Sequence, residues 1–396
     1  DGEGRILAGS YTIIQPRVSP SLPSTSATPF SRLFSHAVGM DPYTRVVSDV
    51  NQDLTGEGSY HGKGIYDVRA FSRLLSGRFP EELLLSHDLL EGAHVRVGLA
   101  SDIELIDQFP PDYLTYARRQ ERWIRGDWQI ADWVLPRVPQ PGGGRGPNLL
   151  SGFNRWKVLD NLRRSLVPAA SVVLLAAAWL RSSRMGWVAT LLVAAQLLFQ
   201  TLAQPLTSAT TRKGLKSLAL GRLAHDLLRT IVEAALIPHQ AWLALSAVAR
   251  VWFRRLVSHR GLLEWTPAPG ERSARKRLRR FAATMAVASV LSAALGWLTY
   301  RRMPANIVLA SPWLLLWFFS PLAGWLLNLR PQARPRRRLL PARELASLRK
   351  IARRTWRYFS DFVGEETSWL PPDNYQVSHQ DELAMRTSPT NIGLWL

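Results

Sequence analysis

An α/β soluble part, an α-helical membrane region and the start of a second, helical soluble part make up the architecture that this sequence predicts. Three observations predict it. Residues 1–150 mix short β-like runs, glycine-dense turns and polar helical stretches; residues 151–340 hold long apolar runs edged by arginines; residues 341–396 are polar again, with helical spacing. At 396 residues the chain has room for two or three units, each able to bury a core. A formal net charge of +20 first suggests nucleic acid. Sixteen tryptophans and the apolar runs point instead to basic residues flanking membrane spans, so the expected partner is a lipid bilayer and no nucleic acid. The absence of cysteine excludes a disulfide framework and a thiolate metal site. The chain starts at Asp1 and stops at Leu396 inside a patterned segment, so it is expected to be a fragment.

In order, Tyr11 to Gln15 is a short β-like run that Pro16 is expected to end, and Pro20, Pro23 and Pro29 among serines predict a loop. Gly56 to Gly64 is a glycine-dense turn leading to a strand candidate, Ile65 to Val68. Such a turn lets backbone N–H groups approach a ligand, although it matches neither a Walker loop nor a dinucleotide fingerprint. Phe71 to Leu75 and Glu81 to Val97 have helical spacing, Val97 to Ile106 alternates as a strand, and Asp112 to Trp133 is a basic-aromatic helical region. Pro136 to Pro147 reads as a linker and Trp156 to Arg164 as a basic amphipathic helix on a membrane surface.

Two helical hairpins follow, with spans at about 166–181, 186–203, 281–300 and 307–329. Between them, 214–257 is apolar but interrupted by His225, Asp226, Glu233, Pro238, His239, Gln240 and Arg250. Each charge at the bilayer centre costs at least about 2.5–3.5 kcal/mol, so interfacial helices are expected there. Basic residues 254–280 and 330–343 favour the cytoplasmic face, which with four spans puts all soluble parts in the cytoplasm. Trp313, Trp317 and Trp325 read as interface anchors. Ala342 to Val363 is a helix, and Arg386 to Gly393 looks like the cap and first turn of another.

The chemistry concentrates in Arg118 to Gln129, where four arginines (118, 119, 122, 125) and two tryptophans fall within a dozen residues. Arginine forks bind phosphate bidentately, and an indole offers an apolar wall to a sugar ring. Alone, the stretch also fits an amphipathic helix with scattered ion pairs. Inverting glycosyl transfer needs a carboxylate to take the acceptor proton, cations for the departing diphosphate and an apolar wall for the acceptor. Asp88 is a candidate base, Arg118, Arg119, Arg122 and Arg125 are candidate diphosphate partners, and Trp123 is a candidate platform. Glu91, at i+3 from Asp88, could orient acceptor or base, and Lys63 and Tyr66 could reach donor or acceptor. His87 has no second convergent histidine, so no metal is assigned within the chain.

The order of parts resembles that of processive membrane-integrated glycosyltransferases of the cellulose and hyaluronan synthase type. Ser86-His87-Asp88 stands where a Thr-Glu-Asp element would be, and Arg119-Gln120-Glu121-Arg122-Trp123 where a Gln-x-x-Arg-Trp element would be, with His87 and Arg119 as departures. A narrower resemblance is to cyclic β-1,2-glucan synthases. It is carried by Gln15 to Val18, Gly62 to Val68, Gly77 to Pro80, Ser86 to Gly92, Arg122 to Trp128 and Asp160 to Leu166. It implies a partial GT-A fold, UDP-glucose as donor, a linear β-1,2-glucan as product and Asp88 as general base. It also implies a Mg2+ or Mn2+ ion on an Asp-x-Asp element upstream of Asp1, a bacterial inner membrane, and a tail from 341 that begins an (α/α)-toroid cyclisation domain. The fragment alone is then expected to be inactive. The alternatives are a synthase of another β-glycan and an inactive membrane-anchored glycan-binding piece.

Overall fold

The computed structural model describes residues 10–35, 50–80, 83–84, 88–208, 219–264, 274–329, 341–376 and 382–396. The chain divides into two compact units, Asp1–Pro331 and Gln332–Leu396. The residues expected to form a soluble part and a membrane region share the first.

The first unit opens with β1 (Ile13–Pro20), α1 (Leu22–Thr25), α2 (Pro29–Phe34), α3 (Val50–Thr55), β2 (Ile65–Tyr66), α4 (Val68–Leu75), α5 (Asp88–His94) and β3 (Val97–Asp107). The strands form one sheet in the order β2-β1-β3, with β1 antiparallel to β2 and parallel to β3. Contrary to expectation, Pro16 does not end the strand. Pairing with β2 stops at Ile14, and the register with β3 shifts between Pro16 and Arg17, so the missing proline N–H falls at an irregularity where no ladder bond needs it. The proline-serine stretch is not a loop either. Thr28 caps α2 through a reciprocal capping box with Ser31, and Pro29 takes the first helical position, where its lost N–H costs nothing.

Next come α6 (Tyr113–Gln129), a 3-10 turn at Ala131–Val134, and β4 (Arg137–Pro139) paired with β5 (Arg145–Pro147). The predicted linker is thus a small hairpin, closed by Gly143 and Gly144 in the left-handed region. The apolar helices are α7 (Gly152–Arg181), α8 (Ser183–Ser208), α9 (Ala219–Phe253), α10 (Ala274–Arg302), α11 (Ile307–Phe318) and α12 (Ser320–Leu327). Three of them are long and apolar enough to cross a membrane: Gly152–Arg181, Leu223–Ser258 and Ala283–Arg302. Pro304–Phe318 with Ser320–Leu327, bent by 43°, qualifies as a fourth if it is one span.

The described part of 214–257 is one helix rather than several, and its apolar core meets the length and composition of a span. The cost argument for interfacial helices assumed lipid around the charges, but they face protein. Arg229, 1% exposed, lies 3.7 Å from Glu233; His239 meets the Tyr113 hydroxyl; Thr230 meets Thr201. Likewise Trp156 to Arg164 is the first half of α7, not a separate surface helix.

Trp317 is fully buried rather than anchored at an interface. Pro238 has no N–H to give the carbonyl of Ala234 one turn back, and the Trp317 indole N–H donates to that carbonyl at 3.0 Å. In α11, Pro312 leaves the Val308 carbonyl in the same position, and the Ser311 hydroxyl donates to it at 3.0 Å. The two halves of the unit also share a core. Phe30, Phe34, Phe109 and Tyr113 pack with Val232 and Leu236 of α9, Phe281 and Met285 of α10 and Leu327 of α12. This fixes the sheet end of the molecule on the helices.

The second unit holds α13 (Ala342–Phe362), a two-stranded pairing of β6 (Tyr375–Gln376) with β7 (Glu382–Leu383), and α14 (Pro389–Trp395), capped by Ser388 as the sequence predicts. A small sheet followed by apolar helices is the arrangement the structure shows. The GT-A and toroid assignments stay with the resemblance.

Candidate active site

The glycine turn is clamped between β1 and α5. The His61 N–H donates to the Gln15 side-chain oxygen at 3.1 Å. Gly62 has φ +72°, and a Cβ there would lie 2.9 Å from Asp88 Oδ2; one on Gly64 would lie 2.7 Å from the carbonyl oxygen of Ile14. Glycine therefore lets the turn lie directly on the Asp88 carboxylate. Ser86 and His87, immediately before it, lie outside the described residues. Burial, reinforced by the Asp88 charge, holds the Glu91 carboxyl above its usual range, and burial with the charges of Glu91 and Asp88 raises the Tyr60 phenol.

Helix α6 supplies the opposite wall. Asp112 caps it by accepting from the Thr115 N–H at 2.8 Å, and the Tyr113 N–H donates to the Asn328 side chain at 2.9 Å. The Arg119 guanidinium stands over the Trp123 ring, 4.6 Å from its centroid, the i,i+4 spacing that puts both on one face. Lys63 is ion-paired with Asp107 at the end of β3. Burial lowers the Arg119 guanidinium, against the pull of Asp107, and its Nε is buried without a hydrogen-bond partner. Burial alone would raise the Asp107 carboxyl, but the hydrogen bonds from Lys63 and the Gln108 N–H and the charges of Lys63 and Arg119 hold it below its usual range. Two cations and one carboxylate leave this cluster net positive.

These walls enclose a cavity of about 530 Å3 that brings together Asp88, Lys63, Arg119 and Trp123. Arg118, Arg122, Arg125, Glu91 and Tyr66 do not line it. Arg125 reaches instead toward the Glu264 carbonyl at 3.4 Å, and Tyr66, 45% exposed, packs against Phe71 in a tilted ring pair with centroids 4.4 Å apart. Other lining residues had been given no role: Tyr116, Gln120, Asn161, Arg164 and Gln240. Asp127 also lines it and accepts from the Asn161 amide at 3.1 Å. Burial pushes the Asp127 carboxyl up to about 7, against that bond and the Arg164 charge. The signal that could have found this set is helical spacing, because 116, 119, 120, 123, 127 and 130 share one face of α6. Among the described residues no three His, Asp or Glu side chains cluster to hold a metal ion.

No protein-family model matches the chain. Over 407 aligned residues it is 39% identical to the cyclic β-(1,2)-glucan synthase NdvB of Rhizobium meliloti (strain 1021), a match covering 98% of this chain and 14% of that protein. The chain is a cyclic β-(1,2)-glucan synthase homologue over that length. The resemblance carried by the short motifs is therefore borne out from end to end of the chain. The cavity, the helix α6 and the apolar helices packed on it all fall within the segment shared with NdvB, and that segment is a small part of the synthase's own length.

Proposed function

We propose that this chain is the donor-site and membrane-embedded part of an inverting glycosyltransferase that polymerises glucose from UDP-glucose into β-1,2-glucan, which a later part of the full-length protein cyclises. The observation that carries the reading is the single cavity in which Asp88 faces a net positive Lys63–Asp107–Arg119 cluster and the Trp123 indole. Homology to a β-(1,2)-glucan synthase supports the product. In this reading an acceptor hydroxyl oxygen attacks C1 of the donor glucose on the face opposite UDP, and its proton passes to Asp88. The bond from C1 to the diphosphate oxygen breaks, and the electron pair departs with UDP, whose negative charge Lys63 and Arg119 stabilise. In this reading the chemistry lies at a bacterial inner membrane, which helices long and apolar enough to cross a membrane support, with the basic flanks 254–280 and 330–343 favouring the cytoplasmic face.

The test is to supply membranes containing the full-length protein with radiolabelled UDP-glucose and determine the linkage of the labelled product. β-1,2-linked glucose is expected. Incorporation from another sugar nucleotide in preference to UDP-glucose, or a different linkage, would overturn the reading.

A further inference from the structure

The cavity is chemically divided. Where it meets the glycine turn, α5 and β3 it carries Lys63, Asp88 and Arg119; where it enters between α6, α7 and α9 it is lined by Asp127, Asn161, Gln240, Pro168, Leu243 and Ala244. The second region is poorly suited to a phosphate. Its one cation, Arg164, is already engaged, with its Nε 3.3 Å from Asp160 and its guanidinium donating to the Asn161 side-chain oxygen. Asp127 would repel an anion when ionised, and its carboxyl, pushed up to about 7, is partly protonated near neutrality. Amides and such a carboxyl both donate and accept, the pattern that sugar hydroxyls need, while Pro168, Leu243 and Ala244 can cover the C–H face of a ring.

Gln240 is the residue of this set with capacity to spare. It is half-buried and lines the cavity, and its side chain makes no hydrogen bond to another described residue. Its aim is fixed by its neighbour. The Tyr113 hydroxyl lies 2.7 Å from His239 Nδ1, both groups are buried, and this contact sets the rotation of α9 against α6. One residue further on, a helix turns about 100°, which carries Gln240 toward the cavity.

We propose that Gln240, with the Asp127–Asn161 pair, forms a subsite for a neutral hexose unit of the glucan, so that a residue of the central apolar helix determines acceptor binding. The proposal rests on the reading of the cavity as a glycosyl-transfer site, and its test is separable from that of the reading. A β-1,2-linked glucose disaccharide and UDP-glucose are titrated separately into the full-length protein in detergent, with tryptophan fluorescence as the readout. Gln240→Leu is expected to weaken disaccharide binding by about fivefold to tenfold, the loss of one or two neutral hydrogen bonds, and to leave UDP-glucose binding unchanged. Gln240→Asn, which keeps the amide, is expected to recover part of that loss, and a folding defect would instead weaken both ligands together. Unchanged disaccharide binding in Gln240→Leu, a loss equal for both ligands, or no saturable disaccharide binding to the unmutated protein would each overturn the subsite. Failure of labelled UDP-glucose to yield β-1,2-glucan, with disaccharide binding lost as predicted, would overturn the reaction and keep the subsite.

Discussion

Asp88→Asn in the full-length protein is expected to lower glucose transfer from UDP-glucose by about 10²- to 10⁴-fold while UDP still binds. The amide keeps the shape of the side chain and the packing of the glycine turn on it, where a Cβ at Gly62 would already lie 2.9 Å away, so the structural disturbance is small. What it removes is the group that takes the acceptor proton, and a positioned general base contributes about that factor. Initial rates with radiolabelled donor, beside UDP affinity measured independently, check it. Unchanged incorporation would remove Asp88 from the mechanism.

Arg119→Ala carries the second largest expected effect, a loss of about 10²- to 10³-fold in turnover, the scale of removing a preorganised group that meets charge developing in the transition state. The change also strips a cation from the Trp123 face and leaves Asp107 with Lys63 as its counter-ion. Arg119→Lys restores charge but not the planar fork or its stacking, so it should recover only part of the rate. Arg118→Ala, which alters a side chain outside the cavity, should have a much smaller effect. Equal losses in Arg118→Ala and Arg119→Ala would mean that the cavity does not define the donor site.

That contrast also shows how far the sequence could be read. The density of arginine and tryptophan located the helix, and Asp112 marked its start, because capping and periodicity are local properties. Which arginine faces the ligand is not local. It depends on the rotation of α6, set by distant partners: Asn328 and His239 at Tyr113, Arg250 at Glu121, and Ser165 at Trp128. Helical spacing ties Arg119 to Trp123 and Asp127, but nothing in the spacing says which face is inward.

The same limit explains α9. Its charges argued for a membrane surface as long as their surroundings were unknown, and Arg229, Glu233 and His239 turn out to face partners on the helix itself or on α6. Pro16 and Pro238 were legible as breakers and yet break nothing, because one falls at a register shift and the other leaves a carbonyl that Trp317 satisfies. Glycine signals fared better. The turn from Gly56 to Gly64 reads directly as a place of close backbone approach, and Asp88 is what it approaches.

In the proposed reading the sugar nucleotide binds in the cavity between the glycine turn, α5 and α6. The most direct measurement is photolabelling of the full-length protein with a UDP-glucose analogue bearing a photoreactive uracil, followed by mapping of the labelled peptides. Label within 59–63, 88–91 or 107–127, displaced by excess UDP-glucose, is the predicted result. Displaceable label confined to residues outside these segments would contradict the account.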